Sequence, residues 1–261
     1  VLASCATTPS EYPVRTQPTA RISLKPEYRL FYDALADYGD WVLVEPFGYA
    51  FRPHVNLQAW SPYSQGFWVP TDVYGWVWIS TESYGWATYH YGRWVFDTYQ
   101  KWVWVPGLEW APAWVDWQSN GDLVGWAPLP PAGAAPSPTV FQYVNARDLT
   151  ATDLASRIVP APQRDGGAAA RPIDNDGEVD GVRFNRGPRL DWVERRAGPL
   201  KLSTIEDALR ATGSRDAGHA PDLKTQTREA GENGARGAQA LRQQATSAPA
   251  RIEVVRPVGA P

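Results

Sequence analysis

The chain has 261 residues and contains no methionine, one cysteine and three histidines. A single cysteine excludes an internal disulfide framework and a multi-cysteine zinc site. Three histidines leave little for a His-rich metal centre, so no cofactor is expected. Basic residues are not in excess: 25 Lys and Arg stand against 28 Asp and Glu. A general polyanion binder carries the opposite balance, so nucleic acid is not an expected partner. No apolar run reaches the ~18 residues of a membrane-spanning helix. The chain also lacks a phosphate-binding glycine loop, an H-E-x-x-H or G-x-S-x-G motif and paired cysteines.

What the chain has is aromatic side chains, 14 Trp and 12 Tyr among them. Thirteen of the fourteen Trp lie between Trp41 and Trp126, and no aromatic residue follows Trp192. The Trp-rich block repeats. Gly39-Asp40-Trp41-Val42, Gly66-Phe67-Trp68-Val69 and Gly92-Arg93-Trp94-Val95 align, with Gly121-Asp122-Leu123-Val124 as a degenerate fourth copy. A second motif recurs as Gly48-Tyr49-Ala50-Phe51, Gly75-Trp76-Val77-Trp78 and Lys101-Trp102-Val103-Trp104. A third recurs as Trp60-Ser61-Pro62-Tyr63, Trp86-Ala87-Thr88-Tyr89 and Trp110-Ala111-Pro112-Ala113. Three motifs per ~27 residues predict about three short strands per unit, with Gly, Pro, Asp and Ser at the turns. Repetition at such a period means units that bury a shared core.

Period-2 alternation sharpens this expectation. Trp76 and Trp78 point one way and Val77 and Ile79 the other; Trp102 and Trp104 oppose Val103 and Val105. Both strand faces are apolar, whereas a single open sheet in water has one polar face. The second face must be covered by curling of the sheet, by residues 139–205 or by a partner. Each buried aromatic ring removes ~150–250 Å² from water, so most of the Trp set is expected in the core. A subset, among Trp76, Trp78, Trp86, Trp102, Trp104 and Trp110, stands as a possible ligand or partner platform. His90, between Tyr89 and Tyr91 and close to Arg93, reads as a hydrogen-bonded ring in an aromatic cluster or as a proton shuttle. Residues 38–131 carry eight acidic and three basic side chains. Glu82 and Glu109 occupy equivalent repeat positions; two carboxylates flanking an aromatic groove would suit glycoside hydrolysis, and a repeated turn contact is the structural reading of the same pair.

Leu2-Ala3-Ser4-Cys5, followed by Ala6-Thr7-Thr8-Pro9-Ser10, resembles a bacterial lipobox. The resemblance implies cleavage before Cys5 and acylation of its thiol and amino group; two or three acyl chains anchor a protein stably. Ala6 after the cysteine resembles outer-membrane sorting. The alternative reading of Cys5 is a buried free thiol.

The runs Phe31-Tyr32-Asp33-Ala34-Leu35, Tyr38-Gly39-Asp40-Trp41-Val42, Tyr84-Gly85-Trp86-Ala87-Thr88-Tyr89-His90-Tyr91-Gly92-Arg93-Trp94 and Val124-Gly125-Trp126-Ala127-Pro128-Leu129-Pro130-Pro131 resemble a family of Trp-rich exported bacterial proteins of unknown function. Asn185-Arg186-Gly187-Pro188 resembles its downstream segment. Lys101, where that pattern has Gly, and Phe51, in place of Trp, depart from it. The resemblance implies an envelope location and transfers no catalytic residues.

The expected fold is mainly β, with short antiparallel strands in a barrel- or sandwich-like unit. Residues 1–27 read as lipobox remnant and tether, 28–131 as the repeat domain and 132–138 as a linker. Residues 139–205 read as a small β or α+β extension. Residues 206–261 read as a low-complexity, mostly disordered tail, with a short helix over 203–212 capped by Ser203 or Thr204. The expected function is that of a non-enzymatic outer-membrane lipoprotein, facing the periplasm or the outside. It is a scaffold or interaction module, held to the membrane by its lipid and bound to an envelope protein. The alternatives are a carbohydrate- or peptidoglycan-binding module with cell-wall glycan as partner, and, more remotely, a glycoside hydrolase.

Overall fold

A computed structural model describes residues 18–134, 141–162 and 169–210. Cys5, the rest of the stretch 1–17 and residues 211–261 of the tail lie outside the described residues. The chain is mainly β, built of short antiparallel strands in open sheets.

Four hairpins carry the repeat. They are β1 (Gly39–Val44) with β2 (Gly48–Pro53), β3 (Gly66–Thr71) with β4 (Gly75–Ser80), β5 (Arg93–Asp97) with β6 (Lys101–Val105), and β7 (Val115–Asn120) with β8 (Leu123–Pro128). Each unit therefore holds two strands, not three. The third motif is connection: around Trp60 and Trp110 the chain is irregular, and at Trp86 it forms the one-turn helix Gly85–Thr88. The fourth copy also differs from expectation. Register pairs Trp41 with Phe51, Trp68 with Trp78, Trp94 with Trp104 and Trp117 with Trp126. The fourth first strand is thus Val115-Asp116-Trp117, and Gly121 is its turn glycine, at φ 59°. In the other three hairpins the left-handed residue sits three positions before the paired aromatic and begins the second strand: Gly48, Gly75 and Lys101, at φ 80°, 70° and 65°.

The glycines opening the first three hairpins have a different cause. A Cβ at Gly39, Gly66 or Gly92 would lie 2.2–2.3 Å from a carbonyl oxygen of the partner strand. It would also meet the ring of Phe51, Trp78 or Trp104. The aromatic ring lies across the glycine, which is why glycine and aromatic recur together.

Hairpins one and three join through Phe51 opposite Trp104 into the sheet β1-β2-β6-β5. Hairpin four is extended by β9 (Gln142–Asn145) on one side and by β10 (Arg171–Pro172) on the other. Hairpin two is a separate ribbon. Its Trp68 meets Trp117 at 4.4 Å and Trp126 at 5.7 Å between ring centroids. The inner faces of all four hairpins thus share one aromatic core.

The second faces are covered from within the chain. Val77 and Ile79 pack against Ala208, Ile205 and Leu209 of the C-terminal helix Ile205–Arg210. Thr204 caps this helix, accepting a hydrogen bond from the Asp207 amide at 3.1 Å. Val44, Ala50, Val95 and Val103 form a second small cluster with Phe47 and Ala134. Two N-terminal helices, Pro18–Ser23 and Arg29–Ala34, close the core at the other end, inserting Phe31 5.2 Å from the Trp104 ring. Part of the stretch read as tether is therefore folded: Ala20 and Leu24 are buried in the core.

Residues 141–162 and 169–200 belong to this body. Beyond β9, the ribbon β11 (Asp176–Val179) and β12 (Val182–Asn185) leads to Asn185-Arg186-Gly187-Pro188. That segment docks on Trp76. The Trp76 amide donates to the Arg186 carbonyl at 3.1 Å and its indole N–H to the Pro188 carbonyl at 2.8 Å. Gly187, at φ 81°, lies between Trp76 and Trp117, where any side chain would clash. The helix Leu190–Ala197 then buries Val193 in the common core.

Candidate functional site

Ten of the fourteen Trp are buried, and Trp76, Trp78, Trp102 and Trp104 are among them. These four are core and supply no surface platform. Trp86 and Trp110 are half-buried. The remaining expected site residues divide between two places.

The first centres on Glu82, at the corner after β4. Its carboxylate accepts hydrogen bonds from the Trp60 indole at 2.7 Å, from the Tyr84 and Tyr89 hydroxyls, and from the Ser80 hydroxyl at 3.4 Å. Burial pushes the Glu82 carboxyl above its ordinary range, and the four donors pull the other way without cancelling it. Tyr84 is nearly and Tyr89 fully buried, and desolvation beside this carboxylate raises both phenols further. The arrangement ties the connection at Trp60 to the corner at 82–89. Glu109 has no such setting: it is exposed on the loop after β6. The two glutamates share a repeat position but not an environment: Glu82 is withdrawn from water and held by four donors, and Glu109 is exposed.

The second place joins His90, Arg93, Glu109 and Trp110, which the turn at 89–93 and the loop at 106–114 bring together. His90 is buried, with Nδ1 3.0 Å from the Ala111 carbonyl, and its ring stacks on Trp110 at 5.6 Å and 16°. Burial pushes its pKa down to about 4, so the ring is neutral near pH 7. The His90 carbonyl accepts from the Ala111 amide and from the Trp114 indole. The guanidinium of half-buried Arg93 lies 3.2 Å over the Trp114 ring and donates to the Gly92 carbonyl at 2.8 Å. Desolvation holds its pKa down to about 10, with Glu109 opposing from a distance.

Sequence reasoning missed Tyr63, the hub between the hairpins. Fully buried, at φ 60°, it donates through its hydroxyl to the Tyr89 carbonyl and accepts from the Trp114 amide, both at 3.0 Å. Its own carbonyl accepts from the Trp126 indole at 3.0 Å. The available signal was its place in Trp60-Ser61-Pro62-Tyr63, which read as one more strand.

No helix among the described residues is long and apolar enough to cross a membrane. No group of three or more His, Cys, Asp or Glu among them is placed to hold a metal ion. No curated protein and no solved structure matches the chain. The model of a family of unknown function (DUF6600) matches residues 32–133, the four hairpins with the helix before them and the turn after.

Proposed function

We propose that this chain is a non-enzymatic scaffold or protein-interaction module of the bacterial cell envelope, carried on the outer membrane by a lipid on Cys5. The observation that supports the scaffold reading is where the aromatic residues go. The repeat spends its Trp residues on a shared core, and its best-placed carboxylate, Glu82, on holding a connection in place. The lipobox resemblance of Leu2-Ala3-Ser4-Cys5 supports the anchor. Twelve residues lie between Cys5 and the helix Pro18–Ser23. Fully extended, they span roughly 45 Å, which keeps the module close to the bilayer that holds it.

Intact-mass analysis of protein from native membranes tests the anchor, with fractionation of a Cys5→Ala variant beside it. Acyl chains on an N-terminal Cys5 are expected, together with release of the variant into the soluble fraction. An unacylated chain that fractionates as the variant does would end the lipoprotein reading.

The half-buried Trp110 next in sequence to the exposed carboxylate of Glu109 favours the second reading, a module for cell-wall glycan. Retention on isolated peptidoglycan that Trp110→Ala abolishes would favour that reading over the first.

A further inference from the structure

Four buried indoles donate to backbone carbonyls: Trp76 to Pro188, Trp104 to Tyr91, Trp114 to His90 and Trp126 to Tyr63. The Tyr63 hydroxyl does the same, to Tyr89. A carbonyl oxygen accepts a hydrogen bond but does not keep the proton. Glu82 is a different kind of acceptor. The Trp60 indole N–H, at 2.7 Å, and the Tyr84 hydroxyl share its Oε1, and the Tyr89 hydroxyl donates to its Oε2. Oxidising a phenol near neutral pH requires its proton to leave, and an indole that has lost an electron is likewise acidic. One carboxylate thus stands ready to take the proton of three oxidisable side chains. Burial, which favours its neutral form, makes it a stronger base than an exposed carboxylate. Ring contacts tie this cluster to the surface and to the core. Half-buried Trp60 lies 5.3 Å from Trp94 between centroids, and Trp94 lies 6.1 Å from Tyr89. Tyr89 lies 4.6 Å from Tyr63, and Tyr84 6.3 Å from the exposed Tyr38. The chain has no methionine and its one thiol is Cys5, so no sulfur within residues 18–210 intercepts an oxidant before the rings do.

We infer that Trp60, Tyr84 and Tyr89 around Glu82 form a redox site that takes up one-electron radical oxidants, with Glu82 as its proton acceptor. The oxidant removes one electron from the Trp60 ring. Tyr84, across the shared Oε1, or Tyr89, by way of Trp94, returns an electron to Trp60. The O–H bond of that tyrosine breaks and its proton passes to the Glu82 carboxylate. The oxidant ends reduced by one electron, the tyrosine ends as a neutral phenoxyl radical, and Glu82 ends protonated. This goes beyond the scaffold role and does not depend on acylation of Cys5.

Pulse radiolysis of the full chain with the azide radical, a one-electron oxidant of indoles, tests this. Indolyl absorption is expected first. It should decay into phenoxyl absorption at a rate independent of protein concentration and slower in deuterated water. Glu82→Gln keeps an oxygen acceptor but takes no proton, and is expected to slow the transfer at least about tenfold. The double change Tyr84→Phe with Tyr89→Phe is expected to remove most of the phenoxyl signal. Tyr84→Phe alone leaves Trp60, Tyr89 and Ser80 on the carboxylate and the ring in its place, and is expected to lower the phenoxyl yield. It keeps the test informative should the other variants fail to fold. Indolyl radicals that decay without phenoxyl, a transfer rate that rises with protein concentration, or a rate and yield unmoved by Glu82→Gln and by Tyr84→Phe would overturn the inference.

Discussion

At position 101 the backbone takes a left-handed conformation, φ 65°, in a turn where the equivalent residues are Gly48 and Gly75. A side chain there costs ~1–2 kcal/mol in local sterics, against ~0.5–1 kcal/mol of extra chain entropy for glycine. The Lys101 ammonium recovers little, through the Thr98 carbonyl and the Phe96 ring. Lys101→Gly should therefore stabilise the fold by about 0.5–1 kcal/mol in denaturant titration. Gly92→Ala should do the reverse, by at least ~2 kcal/mol, because left-handed strain adds to a Cβ 2.2 Å from the Val105 carbonyl. His90 gives the molecule an acid limit. The unfolded chain takes up a proton near pH 6.5 and the buried ring only near 4, so stability is lost as pH falls through that window. Two to three units correspond to on the order of 3 kcal/mol, and His90→Gln should flatten the slope measured between those pH values. Glu82 acts with the opposite sign. Its raised pKa makes the fold hold a proton that the unfolded chain gives up, so stability falls as pH rises from the ordinary carboxylate range through the folded value. Glu82→Gln should remove that descending limb and leave the His90 limb in place.

At the scale of the element, the hairpins were legible and the connections were not. Aromatic and β-branched alternation marks a strand whichever units it serves, so Trp76–Trp78 and Trp102–Trp104 read correctly as paired faces. The connections at Trp60 and Trp110 carry the same residue types for another reason: their rings fill the core and their backbones bond far along the chain. Local pattern cannot separate the two. Glycine alone as the marker misaligns the fourth repeat. Gly39 and Gly121 are both required, one by a ring lying across it and the other by a turn, whereas Trp117 holds the true register. The second apolar face was legible as a need, but its cover on hairpin two, the helix over residues 205–210, was not: the sequence pointed to residues 139–205, curling of the sheet or a partner, because one short turn in a polar stretch carries little apolar signal. Ala208→Asp should open that face. We expect increased binding of a hydrophobic dye and a lower midpoint, with the β-sheet signal of the other hairpins retained.

For the molecule as a whole, the match over 32–133 marks a repeat and not an independent body. β9 completes the sheet of hairpin four, Pro188 satisfies the Trp76 indole, and Val193 lies in the same core as the Trp residues. A fragment ending at residue 133 should lack a cooperative thermal transition and dispersed indole resonances, whereas the chain through residue 210 should show both. Of the candidate site, the sequence made His90, Arg93, Glu109 and Trp110 visible as residue types. Their convergence was not visible, because it depends on a turn and a loop whose meeting no periodicity encodes. Tyr63 adds the dimension of time. Each hairpin closes a short loop, but the Tyr63 bonds reach Tyr89, Trp114 and Trp126, 26, 51 and 63 residues away. Distant contacts form after local ones, since their loop closure is entropically dearer. Tyr63→Phe, which leaves the buried Trp114 amide without its acceptor and should cost about 1–3 kcal/mol, is then expected to hasten unfolding and barely slow folding. The hairpins would assemble as though nothing were missing, and the finished molecule would come apart sooner.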